Sequence, residues 1–291
     1  MVLSALAAQD RPAAIDPNRE LGDRFCEMVE ILGKRLVDGP AARAVGLVYP
    51  TEFTEDLSVI RLYRRWLEER EMEVILGSPY NLRVDARGPV LFDRPFSIML
   101  RHYKTDWWGE RSSVWDDEDI ADAAALVAPL GCALAASIER RAAVINPFGA
   151  VVPQNKRSMA LMWEQLDDFS PRAREIIRAH VPESRRLEAL DPAQIAAERE
   201  RWVIKSDYGA EGDEVVIGRL VTDEAWREAL AHAKRGRWIA QRYFAAREDD
   251  RGASVNHGVY LVAGEAAGLY ARVQVGATDE RAVSVPVLVE G

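Results

Sequence analysis

Cysteine is nearly missing from this chain. Only Cys26 and Cys132 occur in 291 residues, which excludes a disulfide framework and fits a reducing compartment. Cys26 falls on the apolar face of a helical pattern, where a cysteine reads as core rather than as a nucleophile. Histidine is scarce as well. His102, His180, His232 and His257 show no ligand spacing with one another or with cysteine, so no zinc-type site is written here. No apolar run is long enough to span a bilayer. The opening residues MVLSALAAQD lack a basic n-region, and their apolar core is too short for a secretion signal. A cytoplasmic protein without a membrane partner is expected. Positive charge is in deficit: the net charge is −9, and the short pairs Arg185-Arg186 and Lys234-Arg235 are flanked by acids. Nucleic acid is therefore not an expected partner. The glycine fingerprint of a dinucleotide site is absent, and so are internal repeats and low-complexity segments.

What is present fits a folded protein with a proper core, 48% hydrophobic and 29% charged, long enough for two domains or one large one. Residues 1–20, rich in Ala, Asp and Pro, read as a loose lead-in. Phe25, Met28, Val29, Leu32 and Leu36 recur at helical spacing, and Gly39-Pro40 ends that helix. Ala44 to Tyr49 reads as a buried strand, Asp56 to Arg70 as an amphipathic helix with Ile60, Tyr63 and Leu67 on one face, and Glu73 to Leu76 as a second strand. Strand, helix and strand within some thirty residues make a βαβ unit with a parallel pair. Gly77 to Asn81 then falls at a strand's carboxyl end, where open α/β sheets place ligands. A strand pair is expected around Pro89–Phe92 and Phe96–Tyr103.

The segment RHYKTDWWGERSSVWDDED packs Trp107, Trp108 and Trp115 among charges. It fits either a structural aromatic cluster roofed by ion pairs or a substrate-pocket wall using Arg101, Lys104 and Arg111. An alanine-rich helix is expected over Asp117–Ile138. Val144 to Val152 looks like an interrupted strand. Gln154-Asn155-Lys156 opens a helix. A lysine in a first helical turn is either simply solvated or shares a bound anion with the helix dipole. Residues 168–200 are charged, broken by Pro171, Pro182 and Pro192, and read as a helical insert.

The stretch around which the rest is organised is RWVIKSDYGAEGDEVVIG, Arg201 to Gly218. Two β-favouring runs flank a loop with Gly209 and Gly212, and Lys205 ends the first run. The pattern is a hairpin. Loop amides and one ammonium could hold a triphosphate, and the same spacing also suits an ordinary hairpin with a solvated lysine. Asp207, Glu211, Asp213 and Glu214 read as loop solvation. After it come an amphipathic helix over Thr222–Lys234, a strand from Trp238 to Phe244, a hairpin of Val259–Val262 and Leu269–Val273 around Gly264-Glu265, and a last strand over Val283–Val289.

Several motifs agree in kind and order. NPFGAVVPQNK, the helix through LMWE, WVIKSDYGAEG, WIAQRYF and HGVYLVAGEAAGLYARVQ together resemble the glutathionylspermidine synthase-like family of ATP-grasp enzymes. The upstream run from VGLVYPTEFTED through EVILGSPYNL to YKTDWWGER resembles that family's pre-ATP-grasp portion. The resemblance covers roughly residues 45 to 291. Beyond the lead-in and first helix of residues 1–40, it implies an α/β (α+β) fold: a Rossmann-like pre-ATP-grasp domain over 41–145, and ATP-grasp subdomains with a helical insert over 146–291. It also implies a carbon–nitrogen ligase acting on a small-molecule carboxylate and an amine through an acyl phosphate. By the same resemblance Asn155, Lys156 and Lys205, with the loop of Gly209 and Gly212, would hold nucleotide phosphates. Gln241 and Tyr243 would lie beside adenine, and Arg272 would meet the carboxylate substrate.

ATP and magnesium are the implied cofactors. The family's magnesium-binding Arg-x-Asp and Glu-x-Asn elements lie ahead of the pre-ATP-grasp portion. No Glu-x-Asn occurs in this chain, and Arg83-Val84-Asp85 sits in the wrong segment. The expectation is a chain that begins after those elements, with metal ligands unassigned. Three outcomes fit: a truncated ligase, half of a split enzyme whose partner chain brings the metal-binding segment, or a nucleotide-binding protein without turnover.

Overall fold

A computed structural model describes residues 14–38, 44–51, 54, 56–109, 126–209, 212, 214–233, 235–276, 279 and 281–290. Gly39-Pro40, Arg111, Trp115, Glu211, Asp213, Lys234, the first thirteen residues and the 117–125 part of the expected alanine-rich helix lie outside them. The fold is mixed α/β, and the chain divides into two compact units. The first comprises Met1–Ala150, Gly258–Tyr270 and Pro286–Gly291, the second Val151–His257 and Ala271–Val285.

In the first unit the elements run β1 (Ala14–Ile15), α1 (Leu21–Leu36), β2 (Ala44–Val48), α2 (Leu57–Glu68), β3 (Glu73–Gly77), β4 (Leu82–Asp85), β5 (Gly88–Leu91), β6 (Arg94–Pro95), β7 (Ile98–Arg101), α3 (Val127–Ile138) and β8 (Ala143–Ile145). The main sheet is ordered β3-β2-β7-β8, with every pair parallel. Period-two alternation splits its side chains between two faces. Val45, Leu47, Ile98 and Leu100 pack against Phe25, Cys26 and Val29 of α1 and Ile60 and Leu67 of α2. Ala44, Val48, Met99 and Val144 pack against Ala133 and Ala136 of α3 and a cluster around Tyr103 and Trp108. A sheet covered on both faces needs apolar strands throughout, and β2, sequence AVGLV, is buried at all five positions. Gly33 of α1 lies where a Cβ would stand 2.7 Å from the Ile98 side chain, so this helix seats on the sheet at a glycine. Within the described part of the lead-in, Asn18 is tied to a distant strand. Asn18 Nδ2 donates to Leu269 O, and Leu269 N donates back to Asn18 Oδ1, both at 2.9 Å.

In the second unit follow a single helical turn at Val151–Gln154, then α4 (Arg157–Glu164), α5 (Pro171–His180), β9 (Ser184–Arg186), α6 (Pro192–Ala197), β10 (Trp202–Ser206), β11 (Val215–Ile217), α7 (Asp223–His232) and β12 (Trp238–Arg242). The sheet is antiparallel, ordered β11-β10-β12-β9. Trp202 and Ile204 of β10 and Ala240 of β12 pack with Trp226 of α7 and Ile195 of α6. Helix starts are capped as the sequence dictates. Ser170, Asp191 and Thr222 accept backbone N–H groups from Ala173, Ala193 and Ala225, and proline stands at the first position of α5 and α6.

The chain ends with β13 (Ala253–Val262), β14 (Glu265–Val275), β15 (Val283–Val285) and β16 (Val289–Glu290). Ala263 and Gly264 join β13 to β14, both at positive φ, 53° and 87°, the backbone that a two-residue hairpin loop requires.

Four expectations change. The runs at Pro89–Phe92 and Phe96–Tyr103 do not pair with each other: β5 lies between β4 and β6, and β7 between β2 and β8. Val144–Val152 is not one strand: β8 stops at Ile145, and Pro147 and Gly149 give way to helical turns. The 168–200 stretch is helical in two pieces, but between them β9 pairs with β12 as the sheet's edge. The expected last strand is two. Val283–Val285 pairs with β14, whereas Val289–Glu290 pairs with β1, because Pro286 lacks the donor a continuous ladder needs.

Candidate functional site

The candidate site is built within the second unit from β10, β12 and the start of α4. Strand alternation sends Trp202 and Ile204 into the core and leaves Val203 and Lys205 on the opposite face. The β10–β12 register pairs Val203 with Gln241 and Lys205 with Ile239, which makes Gln241 the diagonal neighbour of Lys205. Lys205 Nζ donates to Gln241 Oε1 at 2.7 Å. Gln241 Nε2 donates to Ser184 Oγ at 3.0 Å and lies 3.7 Å from the Met159 sulfur of α4. These partners settle which end of the Gln241 amide faces the ammonium.

Lys156 stands just before α4. Its backbone N donates to Asp207 O at 2.9 Å, and its Nζ donates to Gly209 O. Gly209 N in turn donates to Ser206 Oγ at 3.1 Å. Asp207, read from sequence as loop solvation, is instead buried at 4% exposure. Its carboxylate accepts Arg237 Nε at 2.8 Å and Asn155 Nδ2 at 3.4 Å, and its N donates to Arg237 O at 2.8 Å. Sequence reasoning missed this hub. The signal is the register: Ser206 opposes Trp238, so the next residue outward on each strand, Asp207 and Arg237, also face each other. Asn155 Oδ1 accepts Arg157 N at 2.8 Å, and Arg157 forks onto Glu188 at 2.6 and 3.2 Å. That arginine holds the Glu188 carboxyl down to about 2.

Burial lowers the Lys205 ammonium below the usual lysine range, and the positive charge of Lys156 lowers it further. A half-buried ammonium thus feels a second positive charge. Among the described residues Lys205 has Gln241 as a partner and no carboxylate.

Tyr243 and Arg272 have partners of their own. Tyr243 follows β12, stacks under the Arg219 guanidinium at 4.6 Å, and donates its N to Arg201 O. Gly212 has φ 95° in the loop before β11. Arg272, on β14, donates Nη2 to Asp279 O at 2.9 Å and makes no hydrogen bond to Lys156, Lys205 or Gln241. In the first unit, buried Arg101 spends its donors on the carbonyls of Asn146, Tyr103 and Pro147, beside the Phe148 ring. Burial lowers its guanidinium to about 10. Arg101 therefore ties strand ends together, the structural one of the two roles its segment allowed. Among the described residues no three His, Cys, Asp or Glu side chains gather as metal ligands, and no described helix is long and apolar enough to cross a membrane.

The model of the family described as glutathionylspermidine synthase pre-ATP-grasp matches residues 116–290, more than half of the sequence. The chain belongs to this family. Membership in the glutathionylspermidine synthase pre-ATP-grasp family carries an ATP-grasp-type ligase fold, a class that in general uses ATP and magnesium. Two solved structures are similar. A glutathione synthetase-like effector (GSS30) from Globodera pallida, in apo form, aligns at TM-score 0.48 and 10% identity over 89% of this chain and 56% of that one. An ATP-grasp RimK domain protein from Sphaerobacter thermophilus DSM 20745 aligns at 0.40 and 20% over 84% and 90%. The chain spans about half the length of the effector. No curated protein matches.

Proposed function

We propose that Lys156 and Lys205 bind the phosphates of ATP, and that the chain acts as a carboxylate–amine ligase or as the nucleotide-binding half of one. The observation that carries this reading is the half-buried Lys205 ammonium, which has Gln241 and no carboxylate as a partner among the described residues and feels the positive charge of Lys156. A polyanion relieves that repulsion, and each charge-assisted hydrogen bond it forms is worth roughly 1.5–3 kcal/mol. Phosphoryl transfer asks for positioning and charge stabilisation rather than for a nucleophilic side chain, and this site offers ammonium groups and loop amides.

In the proposed reaction a substrate carboxylate oxygen attacks the γ-phosphorus and ADP leaves. An amine then attacks the acyl phosphate, inorganic phosphate departs, and the amine loses a proton as the amide forms. Lys156 and Lys205 would neutralise charge on the transferring group. Gln241 and Tyr243 would border the adenine, and Arg272 would fork onto the carboxylate. The described residues do not make a magnesium site, and no step is assigned to the metal.

Thermal melting with ATP tests the reading. Saturation near a hundred times Kd stabilises by about 2.7 kcal/mol, or roughly 5–10 °C for a domain of this size. Lys205→Met removes most of that shift, and the double variant with Lys156→Met removes all of it. A full shift in the double variant would sink the assignment. Binding without product, in the presence of varied acids and amines, would favour the alternative of a nucleotide-binding protein without turnover.

A further inference from the structure

The second unit also contains a cleft of about 470 Å³ whose lining includes none of Lys156, Lys205 or Gln241. Its wall is apolar, formed by Leu187, Leu190, Ile195 and Leu230, and two cations reach it, Arg227 and Arg235. The size falls in the range of small-molecule sites.

The charges around the cleft are unbalanced. Glu188 lines it, but both carboxylate oxygens are engaged by Arg157, so its negative charge is already neutralised. Arg227 donates Nε to Asp223 O at 3.1 Å and has no carboxylate partner among the described residues. Arg235 has neither a hydrogen bond nor an ion pair among them. In a chain of net charge −9 carboxylates are plentiful, yet neither guanidinium has one among the described residues. Arg227 lies three and four residues before Leu230 and Ala231 on α7, hence on the same face as the apolar wall and the rim. The carbonyl end of α7 accounts for a cation nearby, but not for the greasy wall beside it.

We propose that this cleft binds a small amphipathic carboxylate, its apolar body against Leu187, Leu190, Ile195 and Leu230 and its carboxylate met by Arg227 and Arg235. Arginine suits this role because its planar fork matches a carboxylate. An apolar body adds affinity through buried area.

Calorimetric titration of the full chain with octanoate, with 1-octanol and acetate as controls, tests this. Octanoate is expected to bind saturably, octanol about tenfold more weakly, and acetate not measurably, since each 1.4 kcal/mol of lost interaction is tenfold. The Arg227→Gln/Arg235→Gln variant weakens octanoate about tenfold and leaves octanol unchanged. Ala231→Trp, a change at an exposed helix position, fills the cleft and abolishes both. Lys205→Met leaves octanoate binding intact, which separates this cleft from the proposed nucleotide site. No saturable heat from a cooperatively melting chain overturns the proposal. So does equal binding of octanoate and octanol, unchanged octanoate binding in the arginine variant, or loss of binding in Lys205→Met.

Discussion

At the scale of single residues, titration separates the roles. With its ammonium lowered by burial and by Lys156, Lys205 loses its charge at a pH below that of an ordinary lysine. A bound polyphosphate favours the charged form. Nucleotide affinity should therefore fall on the alkaline side before pH reaches the ordinary lysine value of about 10.4, with proton uptake on binding in that window. Calorimetry in buffers of different ionisation heat checks both, and Lys205→Arg, which does not titrate there, flattens the profile. Glu188 works in the opposite sense. Its carboxyl is lowered from 4.5 to about 2, so its contribution is complete above the unfolded value and is lost as pH falls from about 4.5 to 2. We expect Glu188→Gln to cost about 1–3 kcal/mol at pH 7 and almost nothing near pH 2, read by urea unfolding at each pH. Cys26 is a third case. Burial pushes its thiol up to about 11, and its Sγ donates to Trp66 O at 3.3 Å. A thiol reagent at pH 8 should label the native chain at Cys132 and reach Cys26 only on unfolding.

At the scale of elements, legibility followed pattern strength. The helix over Leu21–Leu36 and the β10–β11 hairpin were written in apolar periodicity and in the run WVIK followed by VVI, and both stand as read. β9 was not legible, because Ser184-Arg185-Arg186 has no strand pattern of its own and owes its conformation to β12. Lys156 and Lys205 were picked out in the sequence as candidate phosphate ligands, but the Asp207–Arg237 pair that braces the loop was not. A charged residue in a glycine loop looks solvated until the strand register is known. Gly218 is a sharp test of packing between elements. A Cβ there would stand 2.1 Å from Arg199 O, a backbone atom that cannot swing aside. Gly218→Ala should cost about 1–3 kcal/mol by chemical denaturation. Thr222→Ala, which removes the cap of α7, should cost about 1 kcal/mol.

At the scale of the whole molecule, the sequence pointed to a parallel sheet early and strand-rich structure late, and both are present. It did not reveal that the first compact unit draws residues from three separate stretches. Nothing in the composition of Asn18 announces a partner at Leu269, since contacts 251 residues apart leave no local trace. Asn18→Ala forfeits both bonds and leaves the Leu269 groups to find water. A loss of about 1–3 kcal/mol is expected, measured by thermal or urea unfolding.

The same long-range staple bears on how the protein is made. A ribosome delivers residues in order, at about 5–20 per second. The β2-β3-β7-β8 sheet can assemble as soon as Ile145 emerges. Ala14 and Ile15, however, must wait for Val289 and Glu290, and Val289 comes 144 residues after Ile145 (289 − 145). During that interval β1 lacks the strand it pairs with. Nascent chains halted there should be more open to proteases and more dependent on chaperones than the finished protein.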